Sequence, residues 1–438
     1  MRHRLGRWAR LTGAWGVLAI ALASPATATA QIERQPRAYR GLFGRSTPTS
    51  GAYRFLDLSL GVNAGRDSHI TFGRDVSSDP LVQGGGTFAG GSASLAFAQN
   101  SRRLLFSANL SGSGRRFQID PPLQVAEYSA GVGFQWVASQ HSRVTFNQAL
   151  GVSPYFQLNL LPGLFTPAAG DLPPQRLDFA AVQQRTFSSY TSASYQQQLH
   201  PRTSLTFDGS RRGFLFLDAR DALSTDVVEL GGLLRHSLNR SLALRLGYRT
   251  LRVAYRNGGR TLTRDEIDAG FDYNHSFSFS RRATMQFNSG STILRQGDGR
   301  TDFRLNGAAA LNYQLGRTWT ATALYSRNVG FAEGLDQLIS YDAIIGQVRG
   351  FLNRRSQVLF GGGYSRGTPS AGVKAAYTTT TGEASYQLAL SHAAALTAQY
   401  RYYFYAFDPD FQRTVTFDRT LNRHSIYGGV TWWVPLLR

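Results

Sequence analysis

Side chains that alternate between apolar and polar over runs of more than ten residues constrain this chain more than any other feature. From Glu266 to Phe279, Ile267, Ala269, Phe271, Tyr273, Phe277 and Phe279 fall on one side, and Glu266, Asp268, Gly270, Asp272, Asn274, Ser276 and Ser278 on the other. Asp302 to Leu315 repeats the pattern, with Phe303, Leu305, Leu311, Tyr313 and Leu315 opposite Asp302, Arg304, Asn306, Asn312 and Gln314. Leu396 to Phe404 does so again, setting Leu396, Ala398, Tyr400, Tyr402 and Phe404 against Thr397, Gln399, Arg401 and Tyr403. A strand turns successive side chains to opposite faces, so each run describes a strand with one apolar and one polar face. Strands of a soluble sandwich are typically about 5–6 residues long. Tilted strands that cross a bilayer need roughly 9–11 residues or more, and these runs meet that length.

Short polar turns punctuate the runs at Asn100-Ser101-Arg102, Gln140-His141-Ser142, His200-Pro201-Arg202, Asn239-Arg240, Ser280-Arg281-Arg282, Gly316-Arg317, Asn353-Arg354-Arg355 and Ser391-His392. Between them lie longer connections rich in Gly and Asp, such as Asn257-Gly258-Gly259, Gln296-Gly297-Asp298-Gly299 and Phe407-Asp408-Pro409-Asp410. Eight short turns and nine long connections predict 18 strands, an even count in the range of closed antiparallel barrels. A propeller also repeats at about 40 residues, but with four shorter strands per repeat. The longest connection, Gln157 to Val182, combines Pro162, Pro167, Pro173 and Pro174 with Leu158, Leu160, Leu161, Leu164 and Phe165.

Residues 1–30 begin with Arg2, Arg4, Arg7 and Arg10, continue through an apolar stretch from Leu11 to Leu22, and end in Ala28-Thr29-Ala30. That order predicts a cleavable export signal, because the apolar stretch falls short of the roughly 20 residues that cross a bilayer. Residues 31–52 read as an irregular lead-in and 53–438 as the barrel. The chain has no Cys, which excludes a lipoprotein anchor, a disulfide framework and every thiolate metal site. Its formal net charge is +20. Nucleic acid is not an expected partner, since the chain is exported and its arginines are scattered instead of clustered.

With these runs and turns in place, the chain resembles the Gram-negative outer-membrane porin-type barrels. The resemblance covers nearly everything from Tyr53 onward and rests on architecture, not on a diagnostic motif. It implies an outer-membrane location, with lipid and lipopolysaccharide around the wall, and insertion by the outer-membrane assembly machinery. It also implies periplasmic short turns, external long connections, and a third long connection folded inward as a constriction bearing Leu164, Phe165 and Asp171, the alternatives for that segment being a pair of strands extended above the membrane or a packed cap. Barrels of this type commonly end on an aromatic residue, whereas here Trp432 and Trp433 are followed by Val434-Pro435-Leu436-Leu437-Arg438.

In such a barrel the apolar face meets lipid and the polar face lines the lumen. The expected lining is then Arg212, Arg235, Arg245, Arg249, Arg304, Arg401, Asp268, Asp272, Asp302 and Glu383, with Asp57, Asp208 and Glu229 beside them. Charges of both signs argue for a watered interior, or alternatively for a paired network that braces the wall. Tyr400, Tyr402, Phe404, Phe277, Phe279, Trp432 and Trp433 lie near strand ends and predict interfacial girdles. The leading expectation is a pore for hydrophilic solutes, with a preference for anions because the chain is basic. The alternatives are an export conduit for an acidic polysaccharide and a structural or adhesive barrel without transport. No catalytic, cofactor or metal site is expected. The histidines lack metal-pair spacing, and Gly84-Gly85-Gly86 and Gly361-Gly362-Gly363 lack the lysine of a phosphate loop. His275 and Ser276, being adjacent in a strand, point to opposite faces.

Overall fold

A computed structural model describes residues 52–72, 82–119, 122–153, 156–157, 179–180, 185–217, 224–255, 261–276, 282–296, 301–316, 318–332, 337–369, 375–411 and 419–437. The first strands are β1 (Tyr53–Phe72), β2 (Val82–Asn100), β3 (Leu104–Gln118), β4 (Leu123–Ser139) and β5 (Ser142–Ser153), followed by two-residue β6 (Phe156–Gln157) and β7 (Phe179–Ala180). Then come β8 (Thr186–His200), β9 (Thr203–Phe216), β10 (Thr225–Ser237), β11 (Leu242–Tyr255), β12 (Thr261–Ser276) and β13 (Ala283–Gln296). The chain continues through β14 (Thr301–Leu315), β15 (Trp319–Ala332), β16 (Gln337–Phe351), β17 (Ser356–Pro369), β18 (Tyr377–Ala389), β19 (Ala394–Phe407) and β20 (Thr420–Leu437).

Except for β6 and β7, which pair only with each other, the strands form one 18-stranded antiparallel sheet in which β1 also pairs with β20. The sheet is therefore a closed barrel, with the strand number and the alternation of short turns and long connections that the sequence predicts. Gly316 shows how tightly a short turn is made. Its φ of 74° is in the left-handed region, where a Cβ would clash with the backbone. Leu164, Phe165 and Asp171 lie outside the described residues, and so do Phe277, Phe279 and the segment before Ala52.

The two faces of the wall differ as the alternation requires. Leu110, Leu246, Phe303, Ile344 and Ile426 point outward and are exposed, while Asp67, Asp208, Glu266, Asp272, Arg401 and Arg423 point inward and are buried. This is the inverse of a water-soluble barrel. An apolar exterior on a closed hydrogen-bonded wall belongs in a bilayer, where no backbone group can be left without a partner. Tyr400 and Trp432 are on this outer face, as expected of girdle residues. Many arginines sit at the two rims. Arg66, Arg116, Arg211, Arg252, Arg327 and Arg366 are exposed on outward-facing positions toward the long connections, and Arg102, Arg202, Arg240, Arg354 and Arg355 are in the short turns.

Near the long connections the lumen face changes character. Phe214 and Phe216 of β9, Ile339 of β16, Tyr377 of β18, Tyr403, Tyr405 and Phe407 of β19, and Leu421 of β20 form one buried cluster. β9 and β19 stand on opposite sides of the ring, so this cluster spans the lumen. A second cluster joins Val227, Leu251 and Val253 of β10 and β11 to Val329, Phe331 and Leu338 from the tip of the β15–β16 hairpin. One side of the tip thus faces each cluster, because Ile339 belongs to the first and its neighbour Leu338 to the second. The end of β15 and the start of β16 are folded into the barrel mouth.

Candidate functional site: the lumen

Below the apolar layer, toward the short turns, the lumen is polar. On the wall formed by β9 to β12, successive inward positions carry charge because the period-two pattern places every second residue there. Arg245 is the hub: its Nε lies 3.1 Å from Asp268 Oδ2, and its Nη1 donates to Asp272 Oδ1 at 3.3 Å. Arg235 Nε donates to the other oxygen of Asp272 at 3.1 Å, and Arg249 Nη1 is 3.2 Å from Glu229 Oε1. Arg264 Nη2 donates to Glu266 Oε2 at 2.5 Å. Asp208 is buried with its carboxyl over Gly231, and its Oδ1 has no hydrogen-bond donor.

The opposite wall repeats the device. Arg401 is 3.7 Å from Glu383, which also accepts a hydrogen bond from Gln399 Nε2, and the Arg401 guanidinium lies 5.8 Å from the centre of the Tyr427 ring. Arg423 of β20 grips Asp67 of β1, its Nε donating to Oδ1 at 2.8 Å and to Oδ2 at 3.0 Å across the closing seam. Asp67 and Arg423 are the pair the alternation pattern could have found and did not, since neither was among the expected lining residues.

Of the residues expected from sequence, Arg235, Arg245, Arg249, Asp268 and Asp272 are brought together in one network, and Arg401 and Glu383 in another. Arg212 and Arg304 are half-buried at lumen positions, and both are engaged in contacts. The side chain of Asp302 lies outside the described residues. A cleft of roughly 200 Å³ opens beside the first network, lined by Arg245, Arg249, Glu266, Asp268, Asn288 and Asn306. Farther toward the short turns Gln286, Asn312 and Gln314 are exposed on the lumen face.

Pairing has a consequence for selectivity. An arginine with a carboxylate partner contributes little net field, so most of the lumen charge among the described residues is compensated locally. Such pairs are stable only as pairs, because removing one member strands the other in a desolvated setting. The histidines on the outer wall make isolated contacts: Thr203 Oγ1 with His236 Nδ1 at 2.9 Å, Ser241 Oγ with His275 Nδ1 at 3.1 Å and Tyr400 Oη with His424 Nδ1 at 2.7 Å. Ser241 with His275 is a hydroxyl–imidazole contact, but among the described residues no carboxylate is bonded to that ring to orient it as a base.

No protein-family model matches the chain, and no curated protein does. Among solved structures, OpdQ of Pseudomonas aeruginosa aligns at 8% identity with a TM-score of 0.41, covering 88% of this chain and 98% of that one. OccK7 (OpdD) of the same organism aligns at 11% identity and 0.44, covering 88% and 100%, and OccAB4 of Acinetobacter baumannii at 11% and 0.41, covering 89% and 100%. Likeness this remote says nothing about cargo or mechanism.

Proposed function

We propose that this chain is an outer-membrane pore protein that passes small hydrophilic solutes and is closed at its mouth by the apolar layer, to which the ends of β15 and β16 contribute. The single observation behind this reading is a charged lumen inside a closed wall with an apolar exterior. Buried ion pairs are costly in a dry interior, and the cleft beside Arg245 and Asp268 offers room for water. The apolar layer at the mouth is the element that must move for an axial path to open. Compensation of Arg235, Arg245, Arg249 and Arg401 by neighbouring acids supports weak charge selectivity more than the anion preference expected from net charge. The outward arginines toward the long connections are placed to meet phosphates of an anionic outer leaflet, in keeping with lipopolysaccharide as the surrounding lipid.

The test is planar-bilayer recording of the folded barrel alongside a variant with Tyr403→Ala, Tyr405→Ala and Phe407→Ala. The expected result is a several-fold higher conductance in the variant. Silence from both, with the barrel demonstrably folded, overturns the pore reading. It would favour a structural or adhesive barrel, the one alternative that the packed mouth itself supports.

A further inference from the structure

The wall is not uniformly zipped. β14 and β15 pair from Leu315↔Trp319 to Gly307↔Arg327 and no farther, although β14 runs on to Thr301 and β15 to Ala332. Each strand keeps its other neighbour: β14 still pairs with β13 as far as Thr301, and β15 with β16 as far as Ala332. The parting is therefore a seam between two intact hairpins.

Side chains occupy the backbone groups at the parted edge of β15. The Val329 N–H donates to Asn328 Oδ1 at 2.8 Å, and the Val329 carbonyl accepts from Arg264 Nη1 at 3.2 Å. Val329 and Phe331 fall on the parity that faces outward at Tyr325 and Arg327, yet both are buried in the lumen against Val227, Leu251 and Val253. The strand has left the wall and carried its outer face inward. On the other bank Phe303 and Leu305, 64% and 61% exposed, are the most exposed large apolar side chains described. The lumen cleft reaches the first unpaired residue on each bank, Asn306 of β14 and Asn328 of β15.

The parted edge begins at Arg327, at the rim toward the long connections, and an edge there stands open only where water, headgroups or protein satisfy it. We infer that the seam between β14 and β15 is a lateral portal joining the lumen cleft to the membrane interface at the rim, and that it takes single-chain amphipaths. The tail lies along Phe303 and Leu305, and the headgroup reaches Asn306, Ser326 and Asn328. Arg264, held by Glu266, latches the tip of β15 inward and keeps the portal parted. This route goes beyond the axial pore and does not depend on it.

Because the chain has no cysteine, the seam can be tested with introduced ones. Continuing the register would place Leu305 opposite Val329, whereas Ala309 opposite Tyr325 is an observed pair. In proteoliposomes, Leu305→Cys with Val329→Cys is expected to cross-link at least tenfold more slowly than Ala309→Cys with Tyr325→Cys. Equal rates would mean a zipped wall and would overturn the proposal. A diazirine-bearing lysophospholipid, photolysed in liposomes with the cysteine-free protein, is expected to label lumen-facing Asn306 and Asn328 as well as Phe303 and Leu305. Adducts confined to outward-facing residues around the whole wall would overturn it too. Conductance to small ions, recorded on the same preparations, separates failure of the portal from failure of the axial pore.

Discussion

At the scale of single residues, the lumen networks depend on what is missing as much as on what is charged. Gly290 faces the lumen beneath Arg245; a Cβ there would collide with Asp268 Oδ1 and come within 2.9 Å of Arg245 Nη2 and of Asn306 Oδ1. Gly290→Val is expected to cost about 1–3 kcal/mol through overpacking and displacement of the ion pair, read as a lower urea midpoint of unfolding. Gly346, which has no atom within 4 Å of an added Cβ, should accept alanine with a change of under about 0.5 kcal/mol. Asp67 and Arg423 have side chains only 2% and 7% exposed. Arg423→Ala should therefore cost about 3–5 kcal/mol by stranding the carboxylate, and the double variant Asp67→Asn with Arg423→Gln should recover most of it in the same unfolding assay.

At the scale of elements, the strands were legible because one physical rule, apolar outward and polar inward, governs most of their length. It fails at the loop ends, and there the sequence carried a signal that the alternation reading passed over. In β19, Tyr402, Tyr403, Phe404, Tyr405 and Phe407 are aromatic on both faces, and Phe214-Leu215-Phe216 and Leu251-Arg252-Val253 also break the inward polar rule. Loss of alternation marked the apolar layer at the mouth. The inward fold of the β15–β16 hairpin was not legible, since Val329, Gly330 and Phe331 read as an ordinary outward pattern and only three-dimensional packing reverses it. The ion-pair partners were half legible: residue type and parity placed them in the lumen, but which arginine meets which acid depends on cross-strand register. Joining Asn328 to Tyr341, which are opposite one another, through an Asn-Gly turn should remove the hairpin tip without disturbing the rest of the wall. The expected outcome is a barrel that keeps its heat-dependent gel mobility and conducts more than the parent.

At the scale of the whole molecule, the alternation of short and long connections sets an expected orientation. Epitope tags at Gly258 or Asp298 should be reached by antibody on intact cells, and tags at Arg281 or Arg354 only after the envelope is opened; the reverse pattern would invert the barrel. The closure of the wall also governs how the chain comes to exist. Asp67 and Arg423 are 356 positions apart, yet they hold together strands that are neighbours only in the finished ring. Contacts so distant in sequence make folding slow, because the entropy of bringing the ends together is lost before any of the seam is gained. Until β20 arrives, β1 and β19 each present an open edge able to recruit another chain. A chain truncated before Thr420 should therefore sediment as aggregate instead of forming a smaller barrel, so the final strand acts as the commitment step of assembly.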